Sequence, residues 1–315
     1  MKKTHNGSRG RGVATSLAGD SSPVYRSAAG RETVLAAYRA QATRIPFGIE
    51  SELVPTSFGM THVVRAGPAH APPIVVLSGV NFGAFFTVEW LEKLVPHFRL
   101  IIPDIVGQPN LSAETRPKPG NHQYAYWLRE VLTQLDLGPV PMIGFSFGGA
   151  VVLDLASTSP SLISNAALVV PAGFAGGSFL NVVRHLFVPW SLYRLNPKTT
   201  RLPKLISPLG DDLPEHWYAF FDLLLRHVRW AVMPPGPFGA DQLAKYPGPT
   251  LAIFAKDDCF FPGEKAAAAA RKALGPNVLT RLIDGKHLPA AAELASTQRE
   301  LLAFFKTARA SRCFP

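Results

Sequence analysis

The stretch Pro141-Met142-Ile143-Gly144-Phe145-Ser146-Phe147-Gly148-Gly149-Ala150-Val151-Val152-Leu153 reads as a short buried strand, one sharp turn carrying a serine, and a helix. Its centre has the spacing Gly-x-Ser-x-Gly, in which a strained turn lifts a serine hydroxyl above the end of a sheet, a nucleophile elbow. Gly144 and Gly148 stand two residues either side of Ser146, where side chains would collide as strand folds tightly into helix. Ser146 itself is expected at positive φ, which non-glycine residues accept mainly at functional sites. The spacing alone is weak evidence and also suits a plain glycine-rich loop. The strand before it and the helix after it are what give it weight.

Outward from this turn the chain keeps one rhythm. Continuous apolar runs alternate with helical stretches: strand 74–77, helix 88–96, strand 100–102, helix 124–137, strand 142–145, helix 149–158 and strand 166–170. Continuous rather than alternating hydrophobicity marks strands covered on both faces, hence a mostly parallel sheet wrapped by helices. Sites in such sheets lie beyond the carboxyl ends of the strands, the edge on which Ser146 falls. Ahead of this region an amphipathic stretch, 32–44, carries Val34, Leu35 and Tyr38 near one helical face. Two alternating runs, 49–54 and 61–66, flank Pro55-Thr56-Ser57-Phe58-Gly59-Met60 and read as a hairpin.

The rhythm stops near Pro171 and resumes at Thr250. Residues 172–245 show helical patches, no convincing strand, and many rings, among them Phe174, Phe179, Phe187, Trp190, Tyr193, Trp217, Tyr218, Phe220, Phe221 and Trp230. This segment is expected to be a helical cap inserted after a core strand. Its rings either pack the cap onto the core or line an apolar acyl pocket. Strand 250–254, an alanine-rich helix 264–274, strand 278–283 and helix 292–305 then restore the alternation. The expected division is a disordered basic tail over 1–30, a core of 31–171 and 246–315, and the cap of 172–245.

Composition agrees with a large buried core: 315 residues, 47% hydrophobic and 17% charged. The formal charge of +10 is unevenly placed, since residues 1–44 hold eight basic side chains against two acidic ones. No basic stripe interleaves with base-stacking aromatics, so no nucleic-acid partner is expected. The first thirty residues are rich in Ser, Gly and basic residues, which reads as a solvated tail. No apolar run of signal-peptide length follows Met1-Lys2-Lys3. Residues 155–183 carry no charge, yet Pro160, Pro171, Gly173, Gly176 and Gly177 interrupt them, so no membrane span is expected. Cys259 and Cys313 cannot build a disulfide framework, and no Cys/His cluster has metal-ligand spacing. A cytoplasmic setting without metal or cofactor is the expectation. Composition says nothing of oligomeric state.

A serine hydroxyl needs a base within hydrogen-bond reach, and the base needs an orienting acid. Behind this elbow both partners are expected downstream, acid before histidine, on loops after later strands. Strand 250–254 leads into Ala255-Lys256-Asp257-Asp258-Cys259, and strand 278–283 into Asp284-Gly285-Lys286-His287. His287 is the only histidine after residue 227 and is the candidate base. Asp258 is the favoured acid, with Asp257 the alternative. Cys259 reads as a spectator thiol.

At this point the chain resembles the α/β-hydrolase fold enzymes, from about residue 45 to 307. The acid of that family commonly stands three residues after a small strand-ending residue and four before a proline, a frame matched by Ala255, Asp258 and Pro262. The segment Pro103-Asp104-Ile105-Val106-Gly107-Gln108-Pro109-Asn110-Leu111-Ser112 is similar to the family's Asp-x-x-Gly-x-Gly-x-Ser loop, with Pro109 in place of the second glycine. Where the family often carries His-Gly after an early strand, this chain has Ser78-Gly79-Val80-Asn81-Phe82-Gly83. The resemblance implies an oxyanion hole made by the backbone N–H groups of Val80 and Phe147, which does not depend on the missing histidine. Ser78 either adds a hydrogen bond there, as in carbon–carbon bond hydrolases of the superfamily, or caps its own loop.

The implied activity is hydrolysis of a small-molecule carboxylic ester through an acyl-enzyme on Ser146. The alternatives are a carbon–carbon bond hydrolase of the same fold and a non-catalytic binding protein, which typically lacks a triad residue. A haloperoxidase or perhydrolase ranks below these. A dehalogenase is disfavoured because it needs a carboxylate where Ser146 stands.

Overall fold

The computed structural model describes residues 23–174, 176, 182–230 and 233–310. Eight strands form one sheet: β1 Ile49–Thr56, β2 Gly59–Ala66, β3 Pro73–Leu77, β4 Arg99–Pro103, β5 Val140–Phe145, β6 Ile163–Val169, β7 Thr250–Ala255 and β8 Val278–Ile283. Their spatial order is β1-β2-β4-β3-β5-β6-β7-β8. β2 pairs antiparallel with both β1 and β4, and every other pairing is parallel.

Burial explains the pattern of the strands. β4 and β7 are buried along their whole length, and β3, β5 and β6 nearly so. The edge strands β1 and β8 are largely exposed. Helices cover the sheet because a two-sided apolar sheet has no other way to leave water. On one face pack α3 (Gln123–Gln134), α4 (Phe147–Thr158) and α9 (Gly263–Leu274), with Trp127, Val151 and Ala270 in their common core. On the other lie α1 (Ala28–Gln41), α2 (Ala84–Thr87) and α10 (Ala291–Ala310), with Tyr38, Phe86 and Phe305 buried together.

Four more helices stand between β6 and β7: α5 Val188–Leu195, α6 Leu202–Ile206, α7 Glu215–His227 and α8 Ala240–Leu243. No strand occurs among the described residues of 171–249. The amphipathic α7 lays Trp217 flat against Phe82 and Trp90, with ring centroids 4.7 and 5.1 Å apart, and Phe220 against Phe86 at 4.4 Å. These rings fasten the inserted helices to the core; Phe179 lies outside the described residues.

Two segments differ from the sequence expectation. The run expected as a helix over 88–96 instead starts at Ala84 and tightens into a 3₁₀ turn over Val88–Leu91. Its start is set by the Asp104 carboxylate, which accepts the Ala84 N–H at 2.8 Å from twenty residues away. Of the expected tail over 1–30, residues 1–22 lie outside the described residues, whereas the last eight are part of the fold. Val24 and Tyr25 are buried, and Tyr25 bridges Val228. Arg26 N–H donates to the His227 carbonyl, Arg229 N–H donates to that of Val24, and Ser27 then caps α1. The apolar pair Val24-Tyr25 is the local reason this part of a polar segment docks.

Candidate active site

Ser146 sits between β5 and α4 with φ 46° and ψ −112°, a strained backbone held from three sides. Its N–H donates to the Val169 carbonyl at 2.9 Å, and its own carbonyl accepts from Gly149 and Ala172. The flanking glycines have a steric cause. A Cβ on Gly144 would lie 2.6 Å from the Gly149 Cα, and one on Gly148 would lie 2.3 Å from the Leu77 carbonyl oxygen. Neither distance leaves room for any side chain, so the elbow can close only with glycine at both positions.

The loops after β7 and β8 bring two more side chains to this point. His287 Nε2 lies 2.8 Å from Ser146 Oγ, and His287 Nδ1 lies 2.7 Å from Asp258 Oδ2. All three side chains are buried. The remaining carboxylate oxygen of Asp258 accepts the N–H groups of Phe260 and Phe261 at 2.8 and 3.0 Å, which fixes its plane. The rings of Phe260 and Phe261 pack against the imidazole, with centroids 5.0 and 5.7 Å away. Asp257 is exposed and directs its N–H to the Gly285 carbonyl, so its backbone holds the histidine loop. The connection between α6 and α7 touches the same loop: Leu288 N–H donates to the Leu209 carbonyl at 2.7 Å, and Lys286 pairs with Asp211.

The turn after β3 lies over the serine. A Cβ on Gly79 would be 3.7 Å from the Ser146 Cβ. Val80 follows, half-buried, and Phe147 opens α4, where backbone N–H groups of the first turn lack intrahelical acceptors. Asn81 takes φ 62°, and its N–H donates to Gln108 Oε1 at 2.7 Å. At the other end of the turn Asp104 Oδ1 accepts from Ala84 N–H and from the Tyr38 hydroxyl at 2.6 Å, while Asp104 Oδ2 faces His62 Nδ1 at 2.8 Å. Sequence reading missed these supporting roles of Gln108, Asp104, Tyr38 and His62. Only the placing of Asp104 and Gln108 in one loop segment could have suggested them. With Pro109 in the loop, Asn110 Nδ2 ties back to the Ile105 carbonyl and Ser112 Oγ to that of Asp104, so side chains close it. Ser78 is buried, and among the described residues its hydroxyl has no hydrogen-bond partner.

Cys259 is half-buried beside Asp258, and burial first, then the nearby carboxylate, pushes its thiol up to about 12. Among the described residues no group of three or more His, Cys, Asp or Glu side chains is placed to hold a metal ion. No helix among them is long and apolar enough to cross a membrane.

A family model described as alpha/beta hydrolase fold matches residues 72–203, the span that runs from β3 through the elbow into the inserted helices. This is an α/β-hydrolase-fold protein. Over 135 residues the chain is 30% identical to the uncharacterized carboxylesterase nap of Bacillus subtilis (strain 168), a match covering 43% of this chain and 45% of that one. It therefore spans just under half the length of that relative. A longer match, 28% identical over 245 residues, covers 72% of this chain and 84% of the magnesium-chelatase 30 kDa subunit of Rhodobacter capsulatus. The crystal structure of carboxylesterase CesB (YbfK) from Bacillus subtilis superposes with a TM-score of 0.75 at 19% identity, covering 88% of this chain and 98% of that one. At that identity the likeness is one of fold, the α/β-hydrolase architecture.

Proposed function

We propose that this chain is a serine hydrolase that cleaves carboxylic esters of small molecules through an acyl-enzyme on Ser146. The observation that carries the reading is the unbroken chain from Asp258 through His287 to Ser146, with links of 2.7 and 2.8 Å. Asp258 accepts the Nδ1–H of His287, which leaves Nε2 free to take the serine proton. Ser146 Oγ then attacks the ester carbonyl. The oxygen that gains negative charge is met by the N–H groups of Val80 and Phe147, and this electrostatic stabilisation is worth about 10²–10³ in rate per donor. His287 returns the proton to the departing alcohol, and water repeats the sequence to free the acid. Every group these steps need is on the chain, so the proposal calls for no metal or cofactor. Residues 172–245 act as a cap over the site, and the Phe260 and Phe261 rings beside His287 favour an apolar acyl group.

Resemblance in sequence to the Bacillus subtilis carboxylesterase nap supports the ester reading over others of the fold. A second reading has its own support: the buried Ser78 hydroxyl without a partner, one residue before Gly79, is a spare donor suited to carbon–carbon bond hydrolysis of a ketone. One screen separates them. Wild type and Ser146→Ala are assayed side by side on p-nitrophenyl esters of graded acyl length and on vinylogous diketones. The ester reading expects wild-type turnover of the esters and none by the variant. Equal rates for both proteins on every ester sink it, and exclusive turnover of the diketones moves the assignment to the second reading.

A further inference from the structure

Helix α5 breaks the usual rule for a surface helix. Such helices turn an apolar stripe inward and a polar one outward. Here Trp190 and Tyr193 are buried on the inner side, yet the outer side is also apolar. Val188, Leu192 and Leu195, at spacings of four and three, are 48%, 62% and 81% exposed, and Phe187 just ahead of them is 38% exposed. Exposing several large apolar side chains in one short helix is costly unless something covers them.

The charge around this stripe says what the cover is. Arg184, Arg194, Lys198, Arg201 and Lys204 are all exposed, and none has a carboxylate partner among the described residues. No Asp or Glu stands anywhere between Asp154 and Asp211. Beside the stripe, a cavity of about 170 Å³ is lined by Phe187, Trp190 and Trp230 and carries Arg26 and Arg194. A protein partner would have to be acidic and apolar at once. The N-terminal residues 1–22 have four basic side chains and one acidic one, so they bear the wrong sign to cover this face. A second copy of the chain repeats the same positive charge.

We infer that the outer face of α5 is a docking surface for an anionic lipid bilayer. The apolar stripe enters the boundary between headgroups and acyl chains, and the flanking lysines and arginines meet the negative headgroups, as in helices that lie in a membrane interface. The chain lies on the bilayer and does not span it. This inference does not depend on the ester-hydrolase reading, because its readout is binding.

The test is co-sedimentation of the full chain with vesicles of phosphatidylcholine alone and of phosphatidylcholine mixed with phosphatidylglycerol, at low and high salt. Wild type is expected to bind the anionic vesicles, and salt to weaken that binding. Leu192→Ser/Leu195→Ser lowers partitioning about tenfold or more, and Lys198→Glu/Arg201→Glu does so too, each charge near the surface being worth roughly fivefold. Both variants change exposed side chains only, and circular dichroism checks that they fold. A third variant, with Lys2, Lys3, Arg9 and Arg11 changed to Gln, keeps the binding. No binding of wild type to anionic vesicles, or equal binding by both α5 variants, overturns the inference. Complete loss in the third variant assigns the binding to the N-terminal residues and also overturns it. So does a concentration-dependent dimer that Leu192→Ser/Leu195→Ser abolishes, since a second copy is then the occupant.

Discussion

The side-chain oxygen of Gln108 accepts the backbone N–H of Asn81 at 2.7 Å, which together with the Asp104 bond to Ala84 ties the loop after β4 to the turn over Ser146. Asn81 stands at positive φ, so the turn needs an outside hold to keep its shape. The Gln108 bond fixes the peptide plane between Val80 and Asn81, one residue from the Val80 N–H that the proposed mechanism uses.

Changing Gln108 should therefore act on turnover and spare ground-state binding. For Gln108→Ala the expected outcome is a kcat lower by about tenfold, with KM within about twofold, since one lost hydrogen bond to a positioned donor is worth on the order of 1 kcal/mol. Gln108→Glu keeps an acceptor at the same place and should recover most of the rate. A steady-state comparison on one activated ester decides it. Equal kcat in wild type and Gln108→Ala would show that the turn holds itself.

The two adjacent acids after β7 make a sharp contrast. Asp258 faces the imidazole and Asp257 faces solvent. Asp258→Asn should lower kcat by about 10⁴, the scale on which losing the orienting carboxylate leaves histidine in the wrong tautomer. Asp257→Asn should leave kcat within about twofold. Rates measured on purified variants with matching circular dichroism test the pair, and the reverse order would move the acid to Asp257.

Asp104 should matter for stability more than any other carboxylate in the core. Fully buried, it accepts from the Tyr38 hydroxyl and the N–H groups of Ala84 and Leu111, and it faces His62 Nδ1. Asp104→Ala strands these donors without water. The expected loss is about 3–5 kcal/mol, read as a lower urea midpoint at unchanged m. A loss under about 1 kcal/mol would mean the network relaxes around the gap.

Cys259 offers a chemical test. Its thiol is pushed up to about 12, so at pH 8 the nucleophilic thiolate is scarcer than in an unfolded chain, where the ordinary value is about 8.5. Iodoacetamide at pH 8 should leave Cys259 unmodified in the native protein and alkylate it after denaturation, as peptide mapping will show. Raising the pH from 8 toward 10 should speed native alkylation by about tenfold per unit, because that range lies below the pKa of the thiol and the small thiolate fraction grows with pH. Rapid alkylation of the native thiol at pH 8 would contradict the burial of this residue.

Much of this architecture can be read from local sequence because it has local causes. Continuous apolar runs such as Thr250–Ala255 become strands buried on two faces, and Val278–Ile283 spans the residues expected of it. The elbow is legible because Gly144, Ser146 and Gly148 lie within five residues and Gly144 would collide with its near neighbour Gly149, whereas the need for glycine at 148 comes from Leu77 at the end of β3. The two later loops could be identified from the residues that end each strand.

What the sequence determined by itself is thus the order of strands and helices and the chemical types offered at three loop ends. Tertiary structure decided what depends on distance through space. The Ala84 start of α2, the Gln108 hold on Asn81 and the docking of Val24 and Tyr25 all rest on partners from about twenty to two hundred residues away. Only the folded chain tells Asp257 from Asp258 by contact, because a carboxylate's partner is set by where β8 delivers His287. The apolar outer face of α5 is likewise invisible to composition. A leucine's letter is the same inside and out, and only packing reveals which side of the helix the core leaves uncovered.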